Sequence, residues 1–186
     1  DAMNAPGPDS RDELDRLRFP IGRAVILPEP GVGERAGWID RLAAQPDRLR
    51  AILRGADPRV LDMPYRPGGW TVRQVIHHLP DSHANAYIRF RLAATEPEPT
   101  VKVYQEAEWA RLGDATGPVE MSLDLLAALH ARWAFWLRTL GEEDWRRAYV
   151  HPENGRVRID HALQLYVWHG DHHLAHVASV TEPRRP

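Results

Sequence analysis

The sequence predicts an all-α protein, a bundle of four long helices folded as a single domain over residues 1–186. Three observations predict it. Four stretches carry apolar residues at intervals of three and four, the spacing that lines one face of a helix. Clusters of Pro and Gly separate those stretches. No stretch alternates apolar and polar residues over any length, and no repeat of roughly 20–50 residues runs through the chain. Its 186 residues suit one domain, and a chain of that size buries about two-thirds or more of its unfolded surface. Four amphipathic helices hide their stripes most simply against one another.

The elements follow in chain order. Residues 1–16 are polar, lack the apolar stretch of a signal peptide, and are expected to be disordered or vector-derived, leaving the bundle over 17–180. After an irregular lead through Phe19-Pro20 and Pro28-Glu29-Pro30, the first helix spans Gly33 to Arg54. Its stripe is Trp38, Leu42, Leu49, Ile52 and Leu53; Pro46 is expected to kink it, and Gly55 stands where a C-terminal cap belongs. The second helix has the clearest start. Thr71 with Gln74 makes a capping box, and Trp70 and Val75 stand at the staple positions. Its stripe reads Val72, Val75, Ile76, Leu79, His83, Ala86 and Phe90, ending near Ala94.

A long connection, residues 95–118, separates the second and third helices, with a helical turn expected around 106–111; connections of this length are often functional lids. The third helix is predicted to start at Ser122 as N-cap and to carry Leu125, Leu126, Leu129, Trp133, Trp136, Leu137 and Leu140, with Gly141 as its stop. Residues 149–159 centre on Asn154-Gly155 and predict a small hairpin. The fourth helix runs from Asp160 to Val180, ahead of Pro183.

Composition narrows the chemistry. No cysteine is present, which excludes disulfides, thiolate metal sites and a cysteine nucleophile. A net charge of −2, from 24 basic and 26 acidic residues, argues against nucleic-acid binding by bulk charge. The longest apolar runs fall well short of the ~20 residues of a membrane-spanning helix, so a cytoplasmic protein with no membrane partner is the expectation. The motifs H-E-x-x-H, E-x-x-H, G-x-S-x-G and the phosphate-binding loop are all absent.

The histidines stand out. Ten are present, and seven fall in two helices: His77, His78 and His83 in the second, and His169, His172, His173 and His176 in the fourth. Each helical residue turns ~100°, so His169 and His173 share a face, as do His172 and His176. His169, His173 and His176 lie in the apolar arc of the fourth helix, with His172 at its shoulder. Buried imidazoles cost free energy unless each finds a hydrogen-bond partner or a metal. One such pair is more often two satisfied core residues than a chelate; two histidine-rich helices in one small bundle reverse that balance. Two histidines from one helix and a third from a neighbour make three ligands with open positions, the catalytic pattern. Periodicity alone leaves the third ligand open: His83 lies in the stripe of the second helix, and His78 at its edge.

At this point the sequence resembles a known family, the DinB superfamily and within it the YfiT-like branch of metal-dependent hydrolases. The resemblance rests on Tyr65–Glu96 (YRPGGWTVRQVIHHLPDSHANAYIRFRLAATE), His130–Leu140 (HARWAFWLRTL), His151–Gly155 (HPENG) and Leu165–Val177 (LYVWHGDHHLAHV). It implies a four-helix bundle in up-down-down-up order with a three-histidine metal site. The ligand of the second helix stands eight residues after the Trp, which is His78; those of the fourth are the ends of H-x-x-H-H, His169 and His173. His83 is the reserve. Pro80 departs from the family pattern, and a proline inside a helix removes a hydrogen bond and can re-aim His78.

The resemblance implies one divalent ion, nickel or zinc, since both suit imidazole. It implies a hydrolase activating a metal-bound water on a small-molecule substrate. The alternative is an S-transferase that binds a low-molecular-weight thiol such as bacillithiol or mycothiol as cosubstrate. A non-catalytic bundle, with His176 or His83 closing the metal site as a fourth ligand, is the reading of a different class. Asp81, Ser82 and Asn85 are candidates to orient a ligand or substrate, and His172 and His176 to support the ligands; ordinary capping and surface roles compete for each. No residue stands out as a general base. A homodimer is implied by the resemblance alone.

Overall fold

The computed structural model describes residues 8–181. Where the polar composition of 1–16 predicts disorder, a helix α1 forms over Pro8–Arg18; residues 1–7 lie outside the described residues. The bundle helices begin with α2 (Val32–Leu53) and α3 (Val72–Thr95). A short α4 (Glu106–Trp109) precedes α5 (Val119–Leu137), and a short α6 (Glu142–Trp145) follows it. A hairpin of β1 (Ala148–His151) and β2 (Gly155–Arg158) leads into α7 (Ile159–Thr181). No helix among the described residues is long and apolar enough to cross a membrane.

Local chemistry sets most of these boundaries. Thr71 caps α3: its hydroxyl accepts from the Gln74 N–H at 3.2 Å, and the Gln74 side chain accepts from the Thr71 N–H at 3.0 Å. Gly55 follows α2 with φ of +75°, a left-handed conformation that glycine adopts without a Cβ penalty. Antiparallel pairing of His151 with Gly155 closes the hairpin, with Gly155 again at positive φ. Pro46 and Pro80 both lie inside helices that continue past them.

The third bundle helix departs from expectation. α5 starts three residues before Ser122, with Pro118 in the capping position. Ser122 is therefore inside the helix, and its hydroxyl bonds His77 Nδ1 at 2.6 Å. The helix also ends earlier, at Leu137, and Gly141 instead precedes α6.

The pairings give the topology. Along α3 and α5, His77 meets Ser122, His83 meets His130 and Phe90 meets Trp133, so these helices run parallel. Arg50 bonds Asp124 while Arg138 bonds Asp40, so α2 and α5 are antiparallel. His78 meets His173 and Phe90 meets Tyr166, making α3 and α7 antiparallel. Taken as α2, α3, α5 and α7, the order is up-down-down-up.

Two apolar clusters fill the bundle. One gathers Leu42, Phe90, Trp133, Leu137 and Leu163; the other gathers Leu49, Val75, Leu79, Leu126 and Leu174. Polar side chains separate them on every helix. Gln45 falls between Leu42 and Leu49, His83 between Leu79 and Phe90, His130 between Leu126 and Trp133, and His169 and His173 between Leu163 and Leu174. All except His169 are buried.

Candidate metal centre

Helix periodicity places the candidate donors. His169 and His173, one turn apart on α7, face α3, and His78 comes to meet them from the first half of α3. One ring nitrogen of each lies within 4.8 Å of the others. The Nε2 atoms of His78 and His169 face each other at 3.3 Å. The His173 ring stands edge-on to both, 4.9 Å from His78 and 4.5 Å from His169 between centroids. Trp70 packs on His78 at 4.7 Å, so the residue next to the α3 cap also holds the donor ring in place.

Burial keeps these imidazoles neutral. His78 is 5% exposed and His173 8%. Removal from water pushes the His78 pKa down to about 4, with the nearby His172 acting in the same direction. Burial holds His169 and His173 well below the ordinary 6.5, and their mutual proximity adds to it. Neutral imidazole is the form that offers a lone pair.

His83 lies outside this group of candidate donors. It is fully buried, and both its nitrogens are engaged: Nε2 with His169 Nδ1 at 3.1 Å and Nδ1 with His130 Nε2 at 2.8 Å. The His83 and His130 planes lie within 11° and their centroids are 4.9 Å apart, the arrangement of two rings meeting edge to edge in one plane. His130 Nδ1 in turn bonds the Leu42 carbonyl oxygen at 2.7 Å. His130 is the member that sequence reasoning missed; its signal is its place in the α5 stripe, one turn after Leu126 and just before Trp133.

A second group, His172, His173 and His176, lies on α7 alone and shares His173. His176 Nδ1 meets His173 Nδ1 at 3.3 Å, and its Nε2 bonds the Arg18 carbonyl oxygen at 3.2 Å. Tyr65 stacks on His176 with centroids 3.8 Å apart. His172 lies between Trp168 and Phe19, and among the described residues its Nδ1 has no hydrogen-bond partner. The C-terminal end of α1 thus covers this side of α7.

The remaining candidates scatter. Asn85 spends its amide on the Asp81 carbonyl within its own helix, at 2.9 Å. Ser82 is buried. Asp81 faces a 220 Å³ pocket bordered by His77, His78, Trp109 and Asp114, and burial, with Asp114 nearby, raises its pKa. The 96–118 connection forms the far wall of that pocket. Its Gly117 carbonyl accepts from His77 Nε2 at 3.1 Å, and its Ala110 carbonyl from the Gln74 amide at 3.0 Å.

Gly170 and Asp171, inside the histidine motif, dock α7 on α2. Asp171 is buried and accepts from Arg41 and Arg48, each at 2.5 Å. Gln45 donates to the Val167 carbonyl at 2.8 Å. A Cβ on Gly170 would lie 2.1 Å from the Gln45 side-chain oxygen. A side chain at this position would have to displace the Gln45 amide.

Comparison with known proteins agrees with this architecture. A Bacillus cereus protein named "Putative metal-dependent hydrolase" is 45% identical over 168 residues, 90% of this chain and 96% of its own. A Bacillus mycoides protein of the same description is 45% identical over 166 residues, 89% and 96% of the two chains. Among solved structures, YfiT from Bacillus subtilis superposes with a TM-score of 0.86 at 41% identity, covering 89% of this chain and 95% of that one. It is described as a probable metal-dependent hydrolase with an unusual four-helix bundle topology. TT2238, a four-helix bundle protein, matches in fold alone, with a TM-score of 0.55 at 23% identity. The sequence model of the DinB superfamily matches residues 41–177, which include all three histidines that converge between α3 and α7. The chain belongs to the DinB superfamily.

Proposed function

We propose that the chain is a metal-dependent hydrolase in which His78, His169 and His173 hold one divalent ion. The observation that carries this reading is the convergence of three neutral imidazoles from two helices on one point. His83 has both nitrogens in hydrogen bonds, and His176 is tied to His173 and to the Arg18 carbonyl. These bonds compete with either residue closing the site as a fourth ligand, which favours an open donor set of the catalytic kind. Three imidazoles with no carboxylate suit nickel or zinc rather than magnesium or calcium.

A bound divalent ion supplies Lewis acidity to an oxygen of water or substrate. The protein supplies the rest. Apolar clusters flank the histidine layer on both sides, and Trp70 packs on the His78 ring. Asp81, in the pocket beside His78, is the side chain placed to meet a substrate or carry a proton. The names of the relatives, "Putative metal-dependent hydrolase" and "a probable metal-dependent hydrolase", support the metal-dependent reading at that general level.

Metal analysis of purified protein tests the triad. The wild-type chain should carry near-stoichiometric nickel or zinc, and His78→Ala and His173→Ala should lose most of it; full occupancy in both variants would sink the assignment. The reaction class is read by incubating loaded protein with ester and amide panels, and separately with a thiol plus an electrophile. Hydrolysis requires metal-dependent cleavage without the thiol. Consumption of thiol without such cleavage would move the activity to group transfer.

A further inference from the structure

We infer that two imidazole relays, each anchored on a backbone carbonyl, hold His169 and His173 in the Nδ1–H tautomer, which leaves the Nε2 of each ring bare. The inference rests on the three-histidine metal centre proposed above and assigns new positioning roles to His83, His130 and His176.

Each relay fixes its protons one ring at a time. A neutral imidazole carries one N–H and one lone pair, on different nitrogens, and the partner of one nitrogen decides the role of the other. A carbonyl oxygen can only accept. His130 Nδ1 therefore carries the proton it donates to Leu42, at 2.7 Å. His130 Nε2 is then bare and accepts from His83 Nδ1–H at 2.8 Å. His83 Nε2 is bare in its turn and accepts from His169 Nδ1–H at 3.1 Å. Three rings offer three protons for three bonds. The chain ends on a bare His169 Nε2, the atom 3.3 Å from His78 Nε2.

The second relay repeats the logic from the other side of α7. The Arg18 carbonyl accepts from His176 Nε2–H at 3.2 Å. His176 Nδ1 is then bare and accepts from His173 Nδ1–H at 3.3 Å, leaving His173 Nε2 bare. Both donors of α7 thus take the Nδ1–H form, whereas neutral histidine in water favours Nε2–H. A metal-binding histidine usually donates its other N–H to a carboxylate or a carbonyl. Here one or two further histidines stand between that N–H and the carbonyl.

The same logic weighs against a metal held by His172, His173 and His176. Coordination by the facing Nδ1 atoms of His173 and His176 would take the proton from His173 Nδ1 and break the second relay.

Long-range proton–nitrogen NMR of the imidazoles, on uniformly ¹⁵N-labelled full-length chain, tests the inference without any turnover assay. In metal-free protein His169 and His173 should both show a protonated Nδ1 and a bare Nε2. Added Zn(II) should shift their Nε2 resonances and leave Nδ1 protonated. His130→Leu should let His169 populate the other tautomer and weaken Zn(II) binding by about 10- to 100-fold. His130→Gln, whose amide can donate to Leu42 and accept from His83, should restore both readouts. His176→Leu should act likewise on His173.

Nε2–H at His169 or His173 in the metal-free wild type would overturn the inference, and that measurement needs no variant to fold. So would unchanged tautomers and zinc affinity in His130→Leu, or zinc bound through the Nδ1 atoms of His173 and His176. A wild-type chain with the expected tautomers that takes up no zinc would overturn the metal centre itself, and with it the purpose given to the relays.

Discussion

At the scale of residues, seven histidines of the bundle are held below their ordinary pKa by burial. His78 and His130 are pushed down to about 4, as are His172 and His176, while His83, His169 and His173 lie well below 6.5. Each group is neutral in the fold and charged in the unfolded chain as pH falls below its ordinary value. The unfolded state then binds more protons, so stability is present above 6.5 and is lost on acidification toward 4. Each histidine of this kind contributes a slope of about 1.4 kcal/mol per pH unit within that window. Metal-free protein should therefore lose stability steeply between about pH 7 and pH 5, as read by denaturant unfolding at each pH; a flat profile would contradict neutral, buried imidazoles. Spacing offers two pairs on α7, His169 with His173 and His172 with His176; the choice of the first pair, like that of His78 after Trp70, came from the family pattern. The role of His83 was not legible, since its stripe position fits a ligand as well as a relay. His130 showed only its place in the α5 stripe, and a single histidine between Leu126 and Trp133 reads as core.

At the scale of elements, the fit between α2 and α7 sets how the donors are presented. Gly170 lets the Gln45 amide lie against the α7 backbone, and Asp171 receives two arginines of α2. Gly170→Ala should cost about 1–3 kcal/mol through overpacking, despite alanine's better helix propensity. Chemical denaturation measures it; unchanged or raised stability would show that Gln45 moves aside freely. The capping box of α3 was legible because Thr71 and Gln74 act within one turn. The start of α5 was not: Ser122 has the chemistry of a cap, but His77 of another helix takes its hydroxyl. Local signals mark an end only where no distant partner competes for the same atoms.

At the scale of the molecule, the bundle stands on two apolar clusters with the histidine layer between them. Those clusters need no ion, so chelation should leave the helices formed, unlike small zinc domains that unfold without metal. Metal that binds only the folded state adds stability in proportion to the logarithm of its concentration, about 2.7 kcal/mol at a hundredfold excess over the dissociation constant. Thermal unfolding followed by far-UV circular dichroism, with and without chelator, should show a lower Tm and unchanged helicity at room temperature. Collapse of the helical signal on chelation would mean that the metal, not the apolar clusters, holds the bundle.

Taken alone, the amino-acid order determined whatever depends on residues within a few turns of one another. That covers four amphipathic helices, the capped start of α3, the glycine-centred hairpin and the pair His169 and His173 on one face. The order of the helices and the choice of His78 as the third candidate ligand came from likeness to a family, because periodicity placed His83 in the stripe and His78 at its edge. Only the tertiary structure decided which nitrogen of each ring meets which partner. A carbonyl on α2 and another at the end of α1 direct protons on α5, α3 and α7, and hydrogen bonds between residues 86 to 158 positions apart leave no periodic trace in a sequence.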